Sequence, residues 1–280
     1  MIFLHRIGLL GGYPSTQYLL DLYSGAEAAY SLRVLSSSFA SSAVVRVRRS
    51  SDNAEADFTA TEITDGTLTT WTGANDGFVV TWYDQSGNTN DVSQSTASQQ
   101  PQLVASGVVV TGGIDFDNSD DFLIGPDLSI GTGPRSVFAV ARPDTVGVNA
   151  DIIVQLRETS TTGGGWAITP EVAIRTNLRT WVSSTPMSTG ALNLNSSIYT
   201  SGNLHAGSDM WLNGASVTRT SGTDGALATA TGGIIVGAAT SGSVNPFDGI
   251  ISEVVVYLTD QTSNRTGIEA NIANAYGITL

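Results

Sequence analysis

Oxygen ligands crowd two short stretches of this chain. Asp84, Asn88, Asn90 and Asp91 sit around one predicted turn. Side-chain oxygens so close together can hold a hard cation such as Ca²⁺. Their order does not follow the standard calcium loop, and the simpler reading is Asx side chains capping their own backbone. Asp84 then accepts hydrogen bonds or pairs with an arginine of the 46–49 run. Asp115, Asp117, Asp120 and Asp121 form the second cluster, read as a strand and turn, with a metal site as the lesser reading. No cofactor is expected, Ca²⁺ being the one alternative.

Tryptophan can do a different chemistry, because its face stacks on sugar rings. Of Trp71, Trp82, Trp166, Trp181 and Trp211, burial is the default for any one. Trp166 follows three glycines and Trp181 neighbours Ser and Thr, so these two are the expected exposed platforms for a glycan. His5 and His205 are isolated, and no nucleophile-elbow sequence accompanies His205.

These groups need strands to position them. Val45 and Val47 alternate with Arg46 and Arg48, the period of a half-buried strand. Gly77 to Tyr83 is a more continuous apolar run, which predicts a strand covered on both faces. Val137–Ala141, Ile152–Leu156, Ile234–Val236 and Val254–Tyr257 are further strands, separated by turn clusters. Near the carboxyl end, Thr266 and Glu269 have capping-box spacing. Ile268 and Ile272 share one helical face, and Gly277 can close the helix. Residues 1–17 form a separate amino-terminal arm, read either as a first strand or as a docking segment, and 18–280 form one domain.

Composition narrows the function classes. The chain has 280 residues, enough for one large sandwich, and 41% of them are hydrophobic. Charged residues make up 13%, against a usual share of roughly 25%. The net charge of −13 opposes binding to nucleic acid or to anionic membranes. All twelve basic residues are arginine, so lysine Schiff-base chemistry is excluded. There is no cysteine, hence no disulfide and no thiolate zinc site. The first ten residues are too short an apolar run to span a bilayer, and no signal peptide is read there.

The stretch Thr81-Trp82-Tyr83-Asp84-Gln85-Ser86-Gly87-Asn88, together with Arg46, Arg48, Arg49 and Tyr30-Ser31-Leu32-Arg33, resembles the amino-terminal module of fungal-type α-L-arabinofuranosidases and their bacterial and phage relatives. Trp211-Leu212-Asn213-Gly214 and Phe247-Asp248-Gly249-Ile250 are similar to laminin-G-like hairpin and strand segments. The resemblance covers roughly residues 20 to 280. It implies an all-β, two-sheet, concanavalin-like jelly roll with a short C-terminal helix. It also implies a catalytic Glu in the middle strands, for which Glu171 and Glu158 are the candidates, and an Asp near 236–241, where no acidic residue stands. The expectation is therefore a non-enzymatic phage virion protein, a tail or fibre appendage or a capsid decoration. Its arm would bind other virion proteins, host-surface glycan would be a further ligand, and the assembly would be a homo-oligomer such as a trimer. The alternatives are an arabinofuranosidase-type glycoside hydrolase and a cell-surface carbohydrate-binding module.

Overall fold

The computed structural model describes residues 17–146, 151–157, 165–175, 180–183, 185–225, 227, 233–239 and 244–280. The expected arm, apart from Gln17, lies outside them. The described residues form an all-β sandwich of antiparallel strands with a C-terminal helix.

One layer is built around strand Asp248–Tyr257. It pairs with Ala28–Ser31 on one side and Arg135–Pro143 on the other. The ladder runs on to Asn193–Tyr199 and Ser208–Leu212. The Leu212↔Ala215 hairpin turns through Asn213 (φ 49°) and Gly214 (φ 77°), as expected for Asn-Gly. The other layer includes Val154–Arg157 between Gly165–Thr169 and Gly233–Val236, and continues to Leu123–Asp127. Ala43–Arg49, Glu55–Thr59 and Gly77–Trp82 form its far part.

Alternate residues of the central strands enter two different cores. Val137, Ala139, Val254 and Val256 join Leu156, Ile168, Ile234 and Val236 between the layers. Phe138, Val140, Leu194, Val255 and Tyr257 point the other way. The helices are α1 (Leu19–Leu22), α2 (Ala60–Thr64), α3 (Thr67–Thr72), α4 (Leu204–Gly207) and α5 (Arg265–Tyr276). Helix α5 closes the outer core with Ile268 and Ile272, and α1 adds Leu19 and Leu20. Each such buried aliphatic side chain contributes about 1.5–3 kcal/mol. No helix among the described residues is long and apolar enough to cross a membrane.

Two local expectations are corrected. Gly77–Trp82 is not covered on both faces: Val79 is buried, whereas Phe78 and Val80 are half-buried. The Arg48 guanidinium, 5.0 Å from the Phe78 ring centre, partly shields that outer face. The Thr266/Glu269 capping box does not form, because α5 starts two residues earlier than that box requires, with Asn264 at the N-cap. Glu269 turns inward instead and is 1% exposed. It pairs with Arg265 at 2.5 Å, and Arg265 stacks on Trp211. A capping box does form on α2, between Thr59 and Glu62, where sequence spacing would have revealed it. Gly277 closes α5 with φ 66°, as expected.

Candidate functional site

The Trp-Tyr-Asp-Gln-Ser-Gly-Asn segment is a stitch. Directly after strand Gly77–Trp82, the Asp84 carboxylate accepts hydrogen bonds from the backbone N–H of Ala29 (2.8 Å), Ser86 (2.8 Å) and Asn90 (3.0 Å) and from the Ser86 hydroxyl (2.6 Å). Gln85 accepts from Leu35 N–H and donates to the carbonyls of Ser31 and Arg33. Asn88 and Asn90 donate to the carbonyl of Glu27. Asp91 accepts from Asp84 N–H. The four side chains singled out for Ca²⁺ are thus engaged with backbone groups: Asn88 and Asn90 share the Glu27 carbonyl, and Asp84 and Asp91 accept from backbone N–H groups. The hydrogen-bond reading of Asp84 holds; the arginines pair elsewhere. Arg46 bonds Asp57 at 2.8 Å, with the Tyr83 hydroxyl on the same oxygen, and Arg49 bonds Asp52. Arg48 donates to Gln100.

The acidic groups gather at one edge of the sandwich. A run of backbone hydrogen bonds defines that edge: Asn118 N–H to Phe247 O, Phe247 N–H to Gly237 O, Gly237 N–H to Ile153 O, and Ile153 N–H to Ile168 O. It links ends of strands from both layers. Asp117 faces Asp248 across a strand pair, and Asp144 lies beside them with Arg142 at 3.5 Å. Carboxylate oxygens of Asp117, Asp120 and Asp121 all lie within 4.8 Å of one another, the tightest acidic grouping among the described residues. Burial pushes Asp121 up to about 7, and the nearby Asp117 and Asp120 charges push the same way. Burial raises Asp115 as well, with Asp144 adding to it and Arg142 opposing.

That shift has a stability consequence. Asp121 holds its proton to about pH 7 when folded and releases it near 3.8 when unfolded. The folded state therefore binds more protons between those values, and stability falls as pH rises through the window. Asp121→Asn removes the loss. Urea unfolding is expected to show a gain on the order of 1–3 kcal/mol at about pH 8 and almost none near pH 4. An equal gain at both pH values would refute this account.

Glu171 lies at the same edge, half-buried in the turn that follows Gly165–Thr169. Thr169 Oγ1 donates to its Oε2 at 2.9 Å, and Val172 N–H closes the turn on Thr169 O. Val154 pairs with Ile168 in antiparallel register, so Asp151, just before Val154–Arg157, is carried to the end where Glu171 stands. Sequence reading missed Asp151, because it is 20 positions from Glu171 and carries no motif. Glu158 lies outside the described residues. Ala238 and Ala239, where the resemblance implied an acid, are buried.

The expectation for Trp166 is corrected. It is 1% exposed, 5.9 Å from the Tyr199 ring, with the buried Arg135 guanidinium 5.5 Å from its own ring centre. Its strand puts it in the inter-layer core, so it offers no face to a glycan. The Trp181 backbone pairs with Ile174, and its side chain lies outside the described residues.

The fold is an antiparallel β-sandwich with carboxylates along one edge. A GH54 α-L-arabinofuranosidase soaked with a cyclic sulfate inhibitor is similar over 90% of this chain, with a TM-score of 0.64 and 15% identity. An arabinofuranosidase complexed with arabinofuranosyl-α-1,2-xylobiose gives a TM-score of 0.61 and 16% identity over the same share. The chain spans 63% of the length of each. At such identities the likeness is one of fold. No protein-family model and no curated protein matches the chain.

Proposed function

We propose that this chain is a carbohydrate-active sandwich that cleaves α-L-arabinofuranosides at its acidic edge. The observation that carries the reading is the delivery of Asp151 to the end of the sheet occupied by Glu171. Cleavage of a glycosidic bond needs two carboxyl groups, one to donate a proton to the leaving oxygen and one to attack or to activate water. The Thr169 hydroxyl orients Glu171, which takes the place of nucleophile or base. Asp151 takes that of proton donor. Purified protein should turn over an aryl α-L-arabinofuranoside, and Glu171→Gln or Asp151→Asn should each slow it by about 10²–10⁴-fold. A folded sample with no turnover, or variants as active as the parent, would sink the proposal.

A second reading is favoured by the absence of any carboxylate between Val236 and Ser243. It is a non-enzymatic glycan-binding component of a virion or cell surface, attached through residues 1–17 as a homo-oligomer. Retention on insoluble arabinoxylan without turnover is its expected result.

A further inference from the structure

A groove of about 660 Å³ lies beside α5, away from the acidic edge and sharing no residue with it. Its size falls within the roughly 300–1,000 Å³ of small-molecule sites. The walls come from α2, the last turns of α5, and the chain at 17–18 and 32–34.

Among the described residues of the lining, Arg33 is the only charged one. Its charge is already matched from below: Nε meets Glu253 Oε2 at 2.7 Å and Nη2 meets Oε1 at 3.0 Å. Glu253 is fully buried. Nη2 also donates to Asn271 Oδ1. The Tyr276 ring and hydroxyl also lie against the guanidinium, and the Arg33 side chain remains 25% exposed where it lines the groove, so its outer N–H edge can donate to a ligand. Leu32, Val34 and Ala60 supply apolar surface, and the exposed Thr61, Thr64 and Asn274 supply hydroxyl and amide groups.

We propose that this groove is a second, non-catalytic site for a short neutral oligosaccharide. Fixed donors answer ring and hydroxyl oxygens, apolar surface answers C–H faces, and hydroxyl and amide groups answer the remaining hydroxyls. The Glu253 charge and the net charge of −13 disfavour an anionic ligand. The preference for a saccharide over another neutral polyol rests on the carbohydrate reading above.

The test is calorimetric titration of the full chain with arabinotriose and xylotriose, with trigalacturonate as the anionic control. One neutral trisaccharide is expected to bind at about millimolar affinity or better. Ala275→Trp and Thr64→Trp place a large ring over the groove from exposed positions. Each is expected to weaken binding by at least ~10-fold with the unfolding midpoint unchanged. Glu171→Gln is expected to leave binding intact. The inference is overturned by unaltered affinity in both tryptophan variants, by trigalacturonate binding more tightly, or by no binding of either neutral sugar at about 10 mM. Affinity lost only in Glu171→Gln would also overturn it, while leaving the proposed hydrolytic edge standing. Groove binding without arabinofuranoside turnover would remove the hydrolase and keep this site.

Discussion

Arg33→Ala is expected to destabilise the protein by about 3–5 kcal/mol. The cost comes from the partner left behind. Glu253 has no exposure and accepts from both Arg33 nitrogens, from Ser31 Oγ at 2.9 Å and from the Tyr276 hydroxyl at 3.1 Å. Two neutral hydroxyls cannot balance a buried carboxylate. The same charge, after burial itself, helps to push the Tyr276 hydroxyl well above its usual range. Glu253→Gln should cost less, about 1–3 kcal/mol, because the Arg33 side chain is 25% exposed and can reach water. Replacing both, as Arg33→Met with Glu253→Leu, should recover much of the loss, since a buried pair adds little beyond an apolar pair of similar volume. Urea unfolding with an unchanged slope is the measurement. A loss under ~1 kcal/mol for Arg33→Ala would mean that Glu253 is not held as a buried charge.

Asp84→Ala should cost a similar amount, about 3–5 kcal/mol, for a different reason. No ion pair is lost. Three backbone N–H groups, of Ala29, Ser86 and Asn90, lose their acceptor together. Each unsatisfied buried donor costs roughly 1–3 kcal/mol, and three in one turn do not add in full. Asp84→Asn keeps the shape and one acceptor oxygen, so its loss should be smaller. Hydrogen exchange separates this from general loosening. The amides of Ala29, Ser86 and Asn90 should lose protection first, ahead of Val137–Ala141 in the core. Uniform loss across the sandwich would contradict a local stitch.

Much of the fold was legible before any coordinates. Alternation at Val45 and Val47, the Asn213-Gly214 turn, the apolar run Val254–Tyr257 and the Ile268/Ile272 helix face are local patterns, and each appears where its period placed it. A period of two or of 3.6 is written into neighbouring residues, so it survives in one dimension. The Asp84 turn was legible only in part: its bonds to Ser86 and Asn90 are short-range Asx chemistry, whereas Ala29 lies 55 positions away and Asn88 and Asn90 reach back to Glu27.

Burial and partnership were not legible in that way. Trp166 beside three glycines looked like an exposed platform, yet its strand faces it into the core against Tyr199 and Arg135. Glu269 had the spacing of a cap, yet Arg265 and the sheet beneath α5 claimed it. Asp151 and Glu171 become neighbours in topology only because two strands pair with Val154 opposite Ile168. Arg33 meets Glu253 across 220 positions. The sequence by itself determined the strands, the turns, the acidic charge and the C-terminal helix, because these follow from local periodicity and composition, while the sandwich was implied by the resemblance that the Trp82-Tyr83-Asp84-Gln85-Ser86-Gly87-Asn88 segment carries. Which charges meet, which aromatic rings are hidden and which carboxylates share an edge were decided by strand order and register, long-range pairings that no local pattern encodes.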